Sequence, residues 1–268
     1  MYHPLLIFDG DTDQLITAIL RPGDAHAGKG VVAILKRIVR QLRAAFPGVA
    51  IAIRADARFA LPALYDYCEG EGIELTVALL FNTRLAAQAA ALLAAVQQSI
   101  VAGGKKVRLL AETVYQAGSW AHSRRVVVKA DAQRLPKGTM GTNCRFVVTS
   151  RTDAPAALYD WYTQRGGTEG WIKDFKNYVK CDRLSCHRFW ANQFRLFLHA
   201  VAYWLLDTLR RKLVAAGVAR MTLETVRLRV VKIGGRVREW AEVIKLHLAS
   251  SHPGQVLWHP LAAAFPPL

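Results

Sequence analysis

Apolar residues along this chain change their spacing several times, and each change marks an element. Positions 3–8 and 15–20 are short apolar runs that predict two strands. Between them, Asp9-Gly10-Asp11-Thr12-Asp13 is turn chemistry, because Asp and Gly tolerate the backbone angles of a hairpin tip. Three alternating aspartates also suit a calcium loop, but Gln14 and Leu20 stand where that loop needs its glycine and closing glutamate. Over 28–46, Val31, Leu35, Ile38 and Leu42 recur at spacings of three and four with basic residues between them, which predicts an amphipathic helix. Pro47-Gly48 ends it. The run 49–53 predicts a short buried strand leading into Arg54-Ala55-Asp56, followed by a helix over 59–70 and a strand over 73–80. Residues 1–80 thus alternate as an α/β pattern.

Farther on, 83–101 predicts an alanine-rich helix broken by Gly103-Gly104. The stretches 105–115, 124–131 and 144–150 are strand-like, joined by turns such as Pro136-Lys137-Gly138, and form a β-rich block. Helix returns over 156–180 and 189–216. The aromatics Trp190, Phe194, Phe197, Tyr203 and Trp204 could stack on nucleic-acid bases, but at helical spacing amid leucines they read as core. Near the end, 225–233 and 236–248 suggest a hairpin about Gly234-Gly235.

Composition narrows the class. With 268 residues and 52% hydrophobic content, the chain can bury a core, and disorder throughout is excluded. Four cysteines are too few for a disulfide scaffold, so a reducing, cytoplasmic setting is expected. The opening residues lack the basic stretch of a secretory signal. The longest apolar stretches, 85–103 and 189–209, are interrupted by polar residues, so no membrane span is expected. Charge is placed unevenly: residues 1–100 balance 9 Lys and Arg against 9 Asp and Glu, so the whole excess of +16 falls beyond them. That asymmetry points to a polyanionic partner, nucleic acid first and an anionic membrane surface as the rival.

Two groups of residues carry candidate chemistry. Asp56 follows the C-terminal end of a predicted buried strand, the sheet edge where ligands gather in open α/β folds. A carboxylate there also serves as an N-cap for the next helix. Tyr162, Arg165, Glu169 and Lys176 are spaced so that one continuous helix would bring them within roughly 60° of one another. A phenol, a guanidinium, a carboxylate and an ammonium would then share one face. Gly166-Gly167 interrupts that helix, at about 1 kcal/mol per glycine. Cys181, Cys186 and His187 lack a fourth ligand at a zinc-site spacing.

The Y-x2-R-x3-E-x6-K spacing resembles the signature of bacterial insertion-sequence transposases of the DDE type. The run from Cys181-Asp182-Arg183-Leu184-Ser185-Cys186-His187-Arg188 through Phe189-Trp190-Ala191-Asn192-Gln193-Phe194-Arg195-Leu196 is similar to the 1380 group of insertion sequences. So are Arg54-Ala55-Asp56-Ala57-Arg58-Phe59 and Leu228-Arg229-Val230-Val231-Lys232-Ile233-Gly234. The resemblance spans nearly the whole chain and implies a ribonuclease H-like α/β core carrying a β-rich insertion domain and a helical, basic C-terminal part. It divides the chain into 1–82 and 156–216 for the core, 83–155 for the helix and β-rich insertion, and 217–268 for a C-terminal hairpin and tail.

By the same match, Asp56 is the second catalytic aspartate and Glu169 the catalytic glutamate, together holding Mg²⁺ in a two-metal site, with Mn²⁺ as a substitute. Such a pair activates a water or 3′-hydroxyl and stabilises the leaving oxygen of an in-line phosphoryl displacement. Tyr162, Arg165, Lys173, Lys176, Lys180, Arg183 and Arg188 are the implied DNA-binding residues. The implied partner is double-stranded DNA at terminal inverted repeats, with self-association on that DNA, no membrane, and a nucleoid-associated location. The family's first catalytic aspartate lies on a strand upstream of the hairpin that opens this sequence. The expectation is therefore an N-terminally truncated transposase, inactive by itself. The alternative is a non-catalytic DNA-binding remnant that competes with an intact transposase.

Overall fold

A computed structural model describes residues 2–103, 105–135, 139–241 and 243–265. The predicted turn at Pro136-Lys137-Gly138 and the second glycine of Gly103-Gly104 lie outside them. The elements are β1 (Leu5–Phe8), β2 (Leu15–Ile19), α1 (Val31–Ala45), β3 (Ala52–Ala55), α2 (Pro62–Gly70), β4 (Glu74–Leu79), α3 (Thr83–Val101), β5 (Lys106–Tyr115), β6 (Arg124–Arg134), β7 (Met140–Thr149), α4 (Pro155–Thr163), α5 (Gly167–Asn177), α6 (Phe189–Ala215), α7 (Leu223–Val226), β8 (Gly235–Trp240), β9 (Val243–Leu248) and α8 (Gln255–Ala264). The chain divides into two compact units, one of residues 25–165 and one of residues 1–24 with 166–268.

The unit of residues 25–165 is built on a five-stranded mixed sheet in the order β3-β4-β7-β6-β5. β3 and β4 run parallel; β4, β7, β6 and β5 then pair antiparallel. β6 carries Val126, Val127 and Val128 in succession, all buried, because both faces of the sheet are covered. One face meets α3, where Val96 and Ile100 pack on Ala130 and Ala132. On the other, Leu158, Tyr159 and Tyr162 of α4 pack on Val127 and Val147. β3 differs from the expected buried strand: it is an edge strand with only β4 beside it, it is half-exposed, and Val49 before it is 41% exposed. Its alanines gave the run an apolar look without bulk to bury.

In the other unit, the β1–β2 hairpin forms a two-stranded sheet of its own. It packs on α6, with Leu15, Ala18, Leu20, Phe175, Leu196, Ala200, Tyr203 and Leu223 in one core. The outer backbone of β2 is satisfied by α6 side chains. Gln193 accepts from the Leu20 N–H at 2.6 Å and donates to the Ala18 carbonyl at 3.3 Å, and Trp204 Nε1 donates to the Leu15 carbonyl at 2.6 Å. A second cluster joins Leu213 of α6, Val226, Val230, and Leu257 and Leu261 of α8.

Three local expectations change. The predicted strand over 225–233 is α7 followed by a π-helical turn at Arg227–Val231, and the C-terminal hairpin turns after Trp240 rather than at Gly234-Gly235. The predicted helix over 156–180 is two helices separated by a 3₁₀ turn at Gln164–Gly166. Of the aromatics read as core on α6, Tyr203 is fully buried, whereas Trp190 is 77% and Phe194 63% exposed. This helix is apolar on two faces, and only the face of Gln193, Leu196, Ala200 and Tyr203 meets the hairpin.

Candidate functional site

The candidate residues fall in both units. In the sheet unit, Asp56 follows β3 directly and caps a single 3₁₀ turn at Ala57–Phe59, its Oδ1 accepting the Arg58 N–H at 2.9 Å. The capping role and the ligand role therefore fall on one carboxylate, which keeps a second oxygen free of that bond. Arg54 ties the end of β3 to the end of α4. Its Nη1 donates to the Trp161 carbonyl at 2.7 Å and to Gln164 Oε1 at 3.0 Å. Trp161 is held between two guanidiniums, that of Arg54 at 4.6 Å and that of Arg151 at 4.5 Å from its ring centroid.

These ties bring Asp56, Tyr162 and Arg165 into one electrostatic neighbourhood. The Arg165 guanidinium lies 5.9 Å from the Tyr162 ring centroid. Burial pushes the Tyr162 phenol above its ordinary value. Arg165 opposes that push by charge and by a hydrogen bond, while the Asp56 carboxylate adds to it. Tyr162 is consequently a neutral hydrogen-bonding phenol at physiological pH.

Glu169 sits in the first turn of α5, exposed, where a carboxylate complements the helix dipole. Lys173 and Lys176 follow on the same helix, and Lys180 comes just beyond it with a left-handed backbone (φ 61°). Arg183 lies in the loop before α6, and Arg188 immediately precedes that helix; all five cations are exposed. The 3₁₀ turn thus replaces the single helical face: Tyr162 and Arg165 belong to the unit of 25–165, Glu169 and Lys176 to the other.

The loop carrying Arg183 and Arg188 is held by a residue that sequence reasoning passed over. Asn192 is fully buried. Its Oδ1 accepts from the Cys186 N–H at 3.0 Å, and its Nδ2 donates to the Cys186 carbonyl at 2.7 Å and to the Tyr2 hydroxyl at 3.1 Å. Its neighbour Gln193 pins β2. A polar pair inside an apolar helical run was the available signal. Asp207 and Arg210 form a second missed network, in which Arg210 Nε donates to Asp207 at 3.0 Å, Nη1 to Asp174 at 3.2 Å, and Arg211 Nε to Asp207 at 2.6 Å.

Asp56 and Glu169 are hard oxygen donors of the kind Mg²⁺ requires. Neither is in a salt bridge among the described residues, whereas Asp66, Glu69, Glu74, Glu112, Asp131 and Asp153 all are. The donor chemistry fits a divalent ion, but among the described residues no three His, Cys, Asp or Glu side chains come together as a metal-holding group. Cys181 is buried in the hairpin core, its thiol pushed up to about 12 by burial and then by Asp182, as befits a packing residue rather than a ligand.

The whole chain, residues 1–268, matches the family described as Transposase DDE domain group 1, and the chain belongs to that family of DNA phosphoryl-transfer enzymes, which act with divalent metal. No curated protein matches the chain. Among the described residues no helix is long and apolar enough to cross a membrane.

Proposed function

We propose that this chain is a transposase of the 1380 group of insertion sequences and that it binds duplex DNA at terminal inverted repeats. The observation that carries the reading is the state of Asp56 and Glu169 in a DDE-family chain: two carboxylates at the motif positions, neither committed to a salt bridge among the described residues. They are the proposed Mg²⁺ or Mn²⁺ ligands. A bound pair of such ions supplies activation of the attacking oxygen and charge stabilisation of the leaving one. Tyr162 and Arg165 orient the DNA beside Asp56; Lys173, Lys176, Lys180, Arg183 and Arg188 neutralise phosphates.

In this reading the β1–β2 hairpin, β3 and β4 are parts of a ribonuclease H-like core, and β5 to β7 belong to the insertion. The four segments 1–82, 83–155, 156–216 and 217–268 keep their proposed roles. Among the described residues no three metal-ligating side chains come together, and we infer that the chain by itself holds DNA without cutting it. The protein then occupies transposon ends in the cytoplasm, self-associated on nucleoid DNA, and competes with a cleaving transposase.

The test uses purified protein, Mg²⁺ and inverted-repeat duplex. Retention of the duplex without nicking is expected. Metal-dependent nicking that disappears in Asp56→Ala overturns the inactivity, while failure to retain DNA at low salt overturns the whole reading.

A further inference from the structure

The β8–β9 ribbon buries none of its described side chains: every residue of both strands is exposed. Its register sorts them into two chemistries. Arg236 pairs with His247, Arg238 with Lys245 and Trp240 with Val243, so alternation puts three cations, a histidine and an indole on one face. Val237 pairs with Leu246, Glu239 with Ile244 and Gly235 with Leu248, which makes the opposite face largely apolar. At the root of the ribbon the Ala249 N–H donates to the Gly234 carbonyl, and Leu248 lines an apolar cavity of about 360 Å³ with Trp258 and Leu261.

The cationic face is costly in the free protein. Arg238 and Lys245 stand directly opposite one another, and like charges at paired positions destabilise a hairpin. A lone two-stranded hairpin is already marginal in water. Among the described residues no carboxylate pairs with Arg236, Arg238 or Lys245; the Lys245 ammonium instead lies 4.7 Å from the Trp240 ring centroid. An arrangement of this kind is relieved by a polyanion laid along the face.

We propose that this face of the ribbon enters the major groove of duplex DNA. A groove about 12 Å wide admits a two-stranded ribbon, and arginines there reach both phosphates and guanine edges. The proposal rests on the reading that the chain binds DNA, and it assigns part of that binding to Arg236, Arg238 and Lys245, which the motif-based set leaves out.

The experiment titrates fluorescein-labelled inverted-repeat duplex with wild-type protein and with the triple variant Arg236→Gln, Arg238→Gln, Lys245→Gln, following anisotropy across a salt series. The variant is expected to bind at least about 10-fold more weakly at ~0.1 M salt, with the slope of log affinity against log salt reduced by roughly 2 to 3. In parallel, acetylation of Lys245 in the wild-type protein is read by mass spectrometry with and without duplex; protection by DNA is expected. This second measurement decides the matter if the variant fails to fold. Wild-type protein that binds no duplex at low salt overturns the underlying reading together with the proposal. Wild-type binding with an unchanged variant and an unprotected Lys245 overturns the ribbon alone. Protection that rises with protein concentration in the absence of DNA gives the ribbon to a second copy of the chain and overturns the proposal as well.

Discussion

Asn192 shows how much one side chain can hold. It satisfies both backbone groups of Cys186 and the Tyr2 hydroxyl from a fully buried position. Asn192→Ala leaves those groups without their partner, and each buried unsatisfied group costs about 1–3 kcal/mol. A loss of about 3 kcal/mol is expected, measured as a lower urea midpoint at unchanged slope. The two buried thiols, Cys68 and Cys181, give a pH prediction of definite sign. Burial raises both from an ordinary 9.0 to about 12, with the Glu69 and Asp182 charges adding to it. Above about pH 9 the unfolded chain releases protons that the folded protein keeps. The stability these thiols contribute is therefore complete below pH 9 and is lost as pH rises toward 12. Thermal melts from pH 7 to 11 are expected to show a falling midpoint above pH 9, reduced by Cys68→Ala and Cys181→Ala together relative to the variant's own value at pH 7.

At the element scale, α8 and the π-helical turn meet through a glycine. A Cβ on Gly254 would lie 1.9 Å from the Arg229 carbonyl oxygen, which is backbone and has no rotamer to escape into. Gly254→Ala is expected to lift α8 away from Val226 and Val230, exposing Leu257 and Leu261 at a cost of at least about 2 kcal/mol. Hydrogen exchange of α8 amides, faster in the variant while those of β6 stay unchanged, is the measurement.

Elements with strong periodicity were legible in the sequence, as with Val31 and Leu35 on α1, where Val39 rather than Ile38 or Leu42 is the third buried position, and with the strand β6. Those whose form depends on partners were not. The run 225–233 alternates apolar and basic residues like a strand, yet it winds helically because Val226 and Val230 must meet Leu213 and α8. The Y-R-E-K residues were legible as a motif, but a continuous helix was not, because Gly166-Gly167 lets the chain take a 3₁₀ turn between Tyr162 and Glu169. Asn192 and Gln193 looked like interruptions of an apolar helix, since their backbone partners come from a loop and from a strand some 170 residues earlier in the chain.

For the molecule as a whole, the way charge is spent matters more than its total. Many carboxylates are taken up internally: Glu69 and Asp66 by Arg124, Glu74 and Asp153 by Arg151, Asp174 and Asp207 by Arg210, Asp13 by Arg220. Lys173, Lys176 and Lys180 have no such partner among the described residues, and all three are exposed on or just after the helix that carries Glu169. Cations left over in this way bind a polyanion by releasing its condensed counterions, so their contribution appears in the salt dependence before it appears in sequence preference. Substituting all three by Gln should lower the slope of log affinity against log salt by about 2 to 3 and weaken inverted-repeat and unrelated duplexes alike. Loss confined to inverted-repeat DNA would instead make these lysines readers of base sequence. Since α5 packs through buried Phe175 while the three lysines are exposed, the melting midpoint of the variant should stay within about 1 °C of wild type, separating a lost phosphate contact from a lost fold.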